Sequence, residues 1–345
     1  MTAHPMELQE LLRQAHMARS AGSPFVAAVL EAGQRQLDHA PLTAAVIAEW
    51  HGDRSAAALA MRFNAALHAL ARRGATPELE SLYRRQHQDF EGAIGAALIA
   101  HDAFIATWMR DTPQTNEVGR SAALLAALTV AHGRTGGLPF ALFELGSSVG
   151  LNLNIAHYAY DLGGISIGDP DARVRIAPLW RGAPLPDARV ELASAQGVDL
   201  HPIDPSDPES CERLTSYIWA DEPARLDRLQ QALAIARQHR PDVERANAAS
   251  WLPDRLRAPQ PDGLCRVVFH SMALQYLSQD DHRTVTTAIL NAGARATSRR
   301  PLAWISFEWT PDRREVQLQL TCWPDGNTRL LATCHPYGAW IDWRG

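Results

Sequence analysis

Hydrophobic residues recur along this chain with two different periods. Up to about residue 135 they return every three or four positions, the spacing of a helix that buries one face, over 6–20, 42–50, 55–73, 77–89 and 93–110. Gly22-Ser-Pro24, Gly52-Asp53 and Gly74-Ala-Thr-Pro77 punctuate these segments, because glycine and proline interrupt a helical backbone. Past Asp111-Thr-Pro113 the pattern changes. Short apolar runs at 140–145, 243–247, 264–270 and 302–309 read as strands, 188–203 contains another that ends in Gly197-Val-Asp-Leu-His-Pro202, and 121–131, 209–240 and 281–292 read as the helices between them. The segment 158–180, rich in Gly, Asp and Pro, reads as an inserted β-hairpin or lid. Two strand-like runs, 316–323 and 328–335, flank Pro324-Asp-Gly-Asn327 and predict a closing hairpin.

Strands that alternate with helices predict an α/β fold, a parallel sheet covered on both faces. The hairpin adds antiparallel strands at one edge. The expected organisation is an all-helical N-terminal cap domain over 1–135 and an α/β domain over 136–345, with an insertion near 158–197.

Composition narrows the function. With 345 residues, 46% hydrophobic, the chain can bury a large core. Its 33 basic and 38 acidic residues are scattered, with a net charge of -5, so nothing marks a nucleic-acid partner. No apolar run reaches the roughly 18 residues of a membrane helix, and the N-terminus, with His4, Glu7 and Glu10, carries no basic-then-apolar leader. Cys211, Cys265, Cys322 and Cys334 lie far apart and read as reduced thiols, which points to the cytoplasm. The 14 histidines form no i,i+3 or i,i+4 pair, so no metal site is expected. Oligomeric state is left open.

The chemistry-bearing stretch is Phe140-Ala-Leu-Phe-Glu-Leu-Gly146-Ser-Ser148-Val-Gly150-Leu-Asn-Leu-Asn154. Strand, glycine-spaced turn and following helix present backbone N–H groups to a ligand. As Glu144-x-Gly146-x-Ser148-x-Gly150 it is a nucleotide-type loop. As Gly146-x-Ser148-x-Gly150 it is also a nucleophile elbow, with Asp199 or Glu308 and then His335 in the chain order of a serine hydrolase. Against the elbow, about 135 helical residues come first and no His-Gly-Gly segment precedes it. His270 ends an apolar strand at what should be the carboxyl edge of the sheet, and Glu308 ends the next. In Gln114-Thr-Asn-Glu-Val-Gly-Arg120, Thr115 or Asn116 can cap the helix that follows, and capping is the plain reading of Asn116 and Glu117; if that helix packs beside the Gly146 turn, Glu117 and Arg120 face the pocket.

From about residue 138 to 340 the chain resembles the core of a class I S-adenosylmethionine-dependent methyltransferase. Glu144-Leu-Gly-Ser-Ser-Val-Gly150 is similar to the first motif of that fold, Gly197-Val-Asp-Leu200 to the end of its second strand, Asn247-Ala-Ala-Ser-Trp-Leu252 to its adenine station, and Phe269-His-Ser-Met-Ala-Leu-Gln-Tyr-Leu277 to its methyl-transfer face. The whole chain also resembles an uncharacterised bacterial family, on Gln114–Arg120, Gly150-Leu-Asn-Leu153, Gly197-Val-Asp-Leu-His-Pro202, Phe269-His-Ser271 and His335-Pro-Tyr-Gly-Ala-Trp340.

The methyltransferase resemblance implies a Rossmann-like sheet and S-adenosylmethionine held by Glu144, Gly146, Ser147, Ser148, Gly150, Asn152, Asp199, Asn247 and Ala248. It implies His270 and Glu308 as catalytic groups, and a small substrate bound by Asn116, Glu117, Arg120, His335 and Tyr337. Ser148 in place of a middle glycine, Asn247 in place of an acid, and the long insertion before Asp199 depart from the pattern. They favour, as the alternative, a non-catalytic binding protein with a degenerate pocket.

Overall fold

The computed structural model describes residues 10–20, 22–55, 57–186 and 188–345. Its helices are α1 (Glu10–Ser20), α2 (Pro24–Gln36), α3 (Pro41–Ala48), α4 (Leu59–Arg72), α5 (Pro77–Tyr83), α6 (Phe90–Arg110), α7 (Ser121–Arg134), α8 (Pro208–Ser216), α9 (Pro223–Gln238), α10 (Ala248–Arg257) and α11 (Gln279–Gly293). Its strands are β1 (Phe140–Leu145), β2 (Ala159–Leu162), β3 (Ile165–Ile167), β4 (Arg175–Ile176), β5 (Leu179–Arg181), β6 (Leu192–Asp199), β7 (Asp242–Arg245), β8 (Cys265–Ser271), β9 (Leu302–Trp309), β10 (Val316–Trp323), β11 (Asn327–Cys334) and β12 (Trp340–Trp343).

The chain divides into two compact units. One comprises Met1–Thr115 with Pro208–Asp227, the other Asn116–Asp207 with Arg228–Gly345. Residues 208–227, expected with the α/β part, group instead with the helical unit, and 116–135 group with the α/β unit.

In the helical unit α2, α3 and α5 each open on a proline, whose fixed φ and missing N–H suit a first turn. The expected helix 6–20 is seen from Glu10; its first four residues lie outside those described. Helix α2 was missed, because Gly22-Ser-Pro24 reads as a break while Pro24 begins a helix. Phe25, Leu30, Phe63, Leu67, Leu79, Ile94 and Leu98 pack in one core. Helix α6 is long and apolar enough to cross a membrane by length and composition, contrary to the sequence reading, but half of that window is buried in the protein. Asp102, midway along it, accepts from the Leu42 and Thr43 amides at 2.8 Å each and so caps α3. The expected helix 209–240 is two, α8 and α9, because Pro223 cannot continue a helix and starts the second.

The second unit is mixed α/β, built on a nine-stranded, mostly parallel sheet of order β5-β12-β11-β10-β9-β8-β1-β6-β7. Strands β7, β6, β1, β8 and β9 run parallel; β9 to β12 form an antiparallel meander. Every residue of β1 is buried, as befits a strand covered on both faces. Phe143, Val198, Trp251, Val268 and Val285 share its core. The insertion is more than a hairpin. Strands β2, β3 and β4 make a small separate sheet, and β5 pairs with β12 at one edge of the large one. Strand β12 itself was not anticipated.

Candidate functional site

Five parallel strands end on one edge of the sheet, and each carries a polar group there. Glu144 lies opposite Gly197 and Phe269, and Leu145 opposite Val198 and His270, so the ends of β1, β6 and β8 are level. His270 is in turn opposite Ser306 of β9, two residues before Glu308.

The turn after β1 is sharp. Gly146, Ser148 and Gly150 have φ of 72°, 54° and 84°, the left-handed region that a side chain other than glycine enters at a cost. The two glycines are packed by protein: a Cβ on Gly146 would lie 2.6 Å from Ala273 Cβ, and one on Gly150 2.6 Å from Pro241 Cβ. Ser147 Oγ donates to Glu144 O at 3.1 Å. Ser148 N donates to Asp199 Oδ2 at 2.8 Å, and Asp199 Oδ1 accepts from His201 N at 2.8 Å. The carboxylate at the end of β6 therefore ties down the turn after β1.

Below the turn Glu144 is 1% exposed. Its Oε1 accepts from Asn152 Nδ2 at 3.1 Å, while Glu144 Oε2 and Asn152 Oδ1 are buried with no hydrogen-bond partner among the described residues. Burial pushes the carboxyl up to about 8, against the pull of Asn152, Ser147 and Arg120. Asn247 Oδ1 accepts from Ala249 N at 2.7 Å and caps α10, whose first residue is Ala248; Asn247 Nδ2 donates to Asp281 at 3.3 Å.

His270 is fully buried and both ring nitrogens are engaged. Trp304 Nε1, which can only donate, lies 2.9 Å from His270 Nε2. The imidazole therefore accepts at Nε2 and donates from Nδ1 to Glu308 Oε1 at 2.7 Å. That oxygen also accepts from the Ala273 and Leu274 amides at 3.0 and 3.2 Å. Three donors hold Oε1, and Oε2 is left unbonded on a side chain 16% exposed. His270, expected as a catalytic group, therefore has both ring nitrogens engaged and holds Glu308 by one of them. Trp304 thereby holds the histidine's tautomer. Ser271 ends β8, and Ser278 caps α11.

Arg120 is 6% exposed. Its Nε donates to Pro336 O at 2.8 Å and its Nη1 to Ser271 O at 3.3 Å; Nη2 has no partner among the described residues. Burial lowers its pKa, opposed by the charges of Glu117, Tyr337, Glu308 and Tyr276 in that order. The loop His335–Trp340 is pressed on Gly119, where a Cβ would meet Tyr337 O at 2.6 Å. His335 Nδ1 accepts from Tyr337 N at 3.2 Å. The other two expected substrate residues serve the backbone. Asn116 Oδ1 accepts from Leu151 N at 3.0 Å, and Glu117, for which a capping role was the plain expectation, caps the turn before α7 through Gly119 N at 2.9 Å while pairing with Arg228 at 3.3 Å. Tyr276 and Arg228 were missed; the first stands in the Phe269–Leu277 segment after His270, the second has no signal in the sequence. Among the described residues no cluster of three or more His, Cys, Asp or Glu is arranged to hold a metal.

A model of the family described as an uncharacterized protein conserved in bacteria, DUF2332, matches residues 9–343. The chain belongs to this family. No curated protein and no solved structure matches it. Family membership extends over the Gln114–Arg120 segment, the β1 turn and the His335–Trp340 loop alike, so all parts of the cluster lie within the matched span.

Proposed function

We propose that this protein is an S-adenosylmethionine-dependent methyltransferase acting on a small molecule in the cytoplasm. The observation that carries the reading is the order of the strand ends. Numbered by chain position, the five parallel strands lie 3-2-1-4-5, with Glu144, Asp199, Asn247, His270 and Glu308 at or just beyond their carboxyl ends. Rossmann-like sheets of that order take ligands outside those ends, where the order reverses, here between β1 and β8.

The donor set suits a nucleoside. Asp199 and Ser148 N satisfy each other at 2.8 Å, and ribose hydroxyls can replace both halves of that bond, donating to the carboxylate and accepting from the amide. Gly146, Ser147, Gly150 and Asn152 shape the turn that offers it. Asn247 fits least well, since its oxygen already caps α10. When bound, S-adenosylmethionine supplies an electrophilic methyl group on a sulfonium. The chain's own contribution is alignment of the acceptor and exclusion of water. Glu308, held at Oε1 by His270 and two amides, offers Oε2 to take a proton from the acceptor.

Calorimetric titration with S-adenosylmethionine and its demethylated product tests this. Heat of binding is expected, weakened about tenfold or more in Asp199→Asn, for loss of a charge-assisted bond. No heat and no thermal shift at millimolar ligand overturns it. A second reading, a binding protein without turnover, draws support from the closed His270 network. Cofactor binding with no turnover over a panel of methyl acceptors, unchanged by Glu308→Gln, would favour it.

A further inference from the structure

One turn links the two functional side chains of this edge. Segment Ser271–Leu274 receives a hydrogen bond from Arg120 Nη1 at Ser271 O, and gives two to Glu308 Oε1 from Ala273 N and Leu274 N. Between them Met272 stands at φ 58°, in the left-handed region where a non-glycine residue is strained. A strained residue clamped from both sides keeps Arg120 and Glu308 in fixed relation.

Their free atoms define what they can hold. Arg120 is buried, yet among the described residues no carboxylate lies within ion-pair distance of it; its bonds go to two carbonyl oxygens. A buried guanidinium without an anion is costly, and here Nη2 remains to take one. Glu117, the first charge that acts on it, is already paired with Arg228. Glu308 is the other carboxylate that acts on it, and among the described residues no Arg or Lys pairs with Glu308, while His270 meets it as a neutral donor. One site therefore offers a cationic donor and an anionic acceptor, not in contact with each other.

A dianionic phosphate suits Arg120 but is repelled by Glu308. A plain carboxylate leaves Glu308 unmatched. We infer that Arg120 and Glu308 together hold an α-amino carboxylate zwitterion, its carboxylate on Arg120 Nη2 and its ammonium on Glu308 Oε2. This rests on the reading above in taking the strand-end edge as the working edge. Two sources carry that chemistry: a free amino acid as methyl acceptor, or the amino-acid tail of S-adenosylmethionine itself.

Calorimetry on the full chain separates them. The probes are the proteinogenic amino acids, their des-amino acids, inorganic phosphate, S-adenosylmethionine, and methylthioadenosine, which lacks the tail. The variants are Arg120→Lys and Glu308→Gln, checked for folding by circular dichroism. If an amino acid binds the native protein and both variants weaken it about tenfold or more, the acceptor is the source. If S-adenosylmethionine weakens in both while methylthioadenosine does not, the tail is. Glu308→Gln should in addition favour the des-amino acid over its parent; it keeps an acceptor oxygen for the turn, so it decides the matter if Arg120→Lys unfolds. Amino-acid binding without any S-adenosylmethionine binding keeps this inference and sinks the methyltransferase reading. Binding that ignores both variants, binding of phosphate alone, or no binding at all overturns the inference.

Discussion

Replacing Glu144 by glutamine should change how stability depends on pH. The carboxyl is fully buried and sits at about 8 in the folded chain against an ordinary 4.5, so the folded state keeps its proton where the unfolded state releases it. A raised folded value contributes stability that is complete below about 4.5 and is lost as pH rises through about 8. At roughly 1.4 kcal/mol per pH unit the whole span is worth about 5 kcal/mol. That is an upper limit, because any water reaching the carboxylate reduces it, yet it rivals the roughly 5–15 kcal/mol stability of an ordinary domain. Glutamine keeps the shape and the acceptor for Asn152 Nδ2, and its own NH₂ can serve Asn152 Oδ1, which is buried without a donor. Urea unfolding at intervals from pH 5 to pH 9 is the assay. The native protein should lose several kcal/mol relative to Glu144→Gln over that range, with the variant equal or better at the alkaline end. Parallel profiles for the two proteins would refute a buried, neutral Glu144.

Three other outcomes follow from the same edge and core. Gly146→Ala, with φ 72° and Ala273 Cβ at 2.6 Å, combines backbone strain with overpacking and should cost about 2–5 kcal/mol; Gly136→Ala, with the same φ and nothing within 4 Å, should cost only about 1–2, as thermal unfolding would record. His270→Ala leaves Trp304 Nε1 without its acceptor and Glu308 without its ring donor, and opens a cavity, so a loss of roughly 3–5 kcal/mol is expected; an unchanged melting temperature would contradict the closed network. All four thiols are buried, with Cys322 pushed up to about 11 and Cys334 to about 12 by burial, so a disulfide reagent at pH 8 should label none in the folded protein and all four in urea.

The amino-acid sequence by itself determined the local elements. The change from helical to strand spacing near residue 135, the strands at 302–309 and 316–323, and the hairpin after them are all found as read, because each depends on neighbours within a few residues. The β1 turn was legible for the same reason: glycine at 146 and 150 is what positive φ requires. What only the tertiary structure decided is who bonds to whom across distant segments. Nothing near His270 says that Trp304 and Glu308 consume both its nitrogens, nor anything near Asp199 that it is tied to Ser148 N. Strand β12, the pairing of β5 with it, and the grouping of 208–227 with the helical unit are likewise products of long-range packing. A strand's residues set its period; its partner, and the hydrogen bonds at its end, are chosen by burial energy that only the assembled sheet supplies.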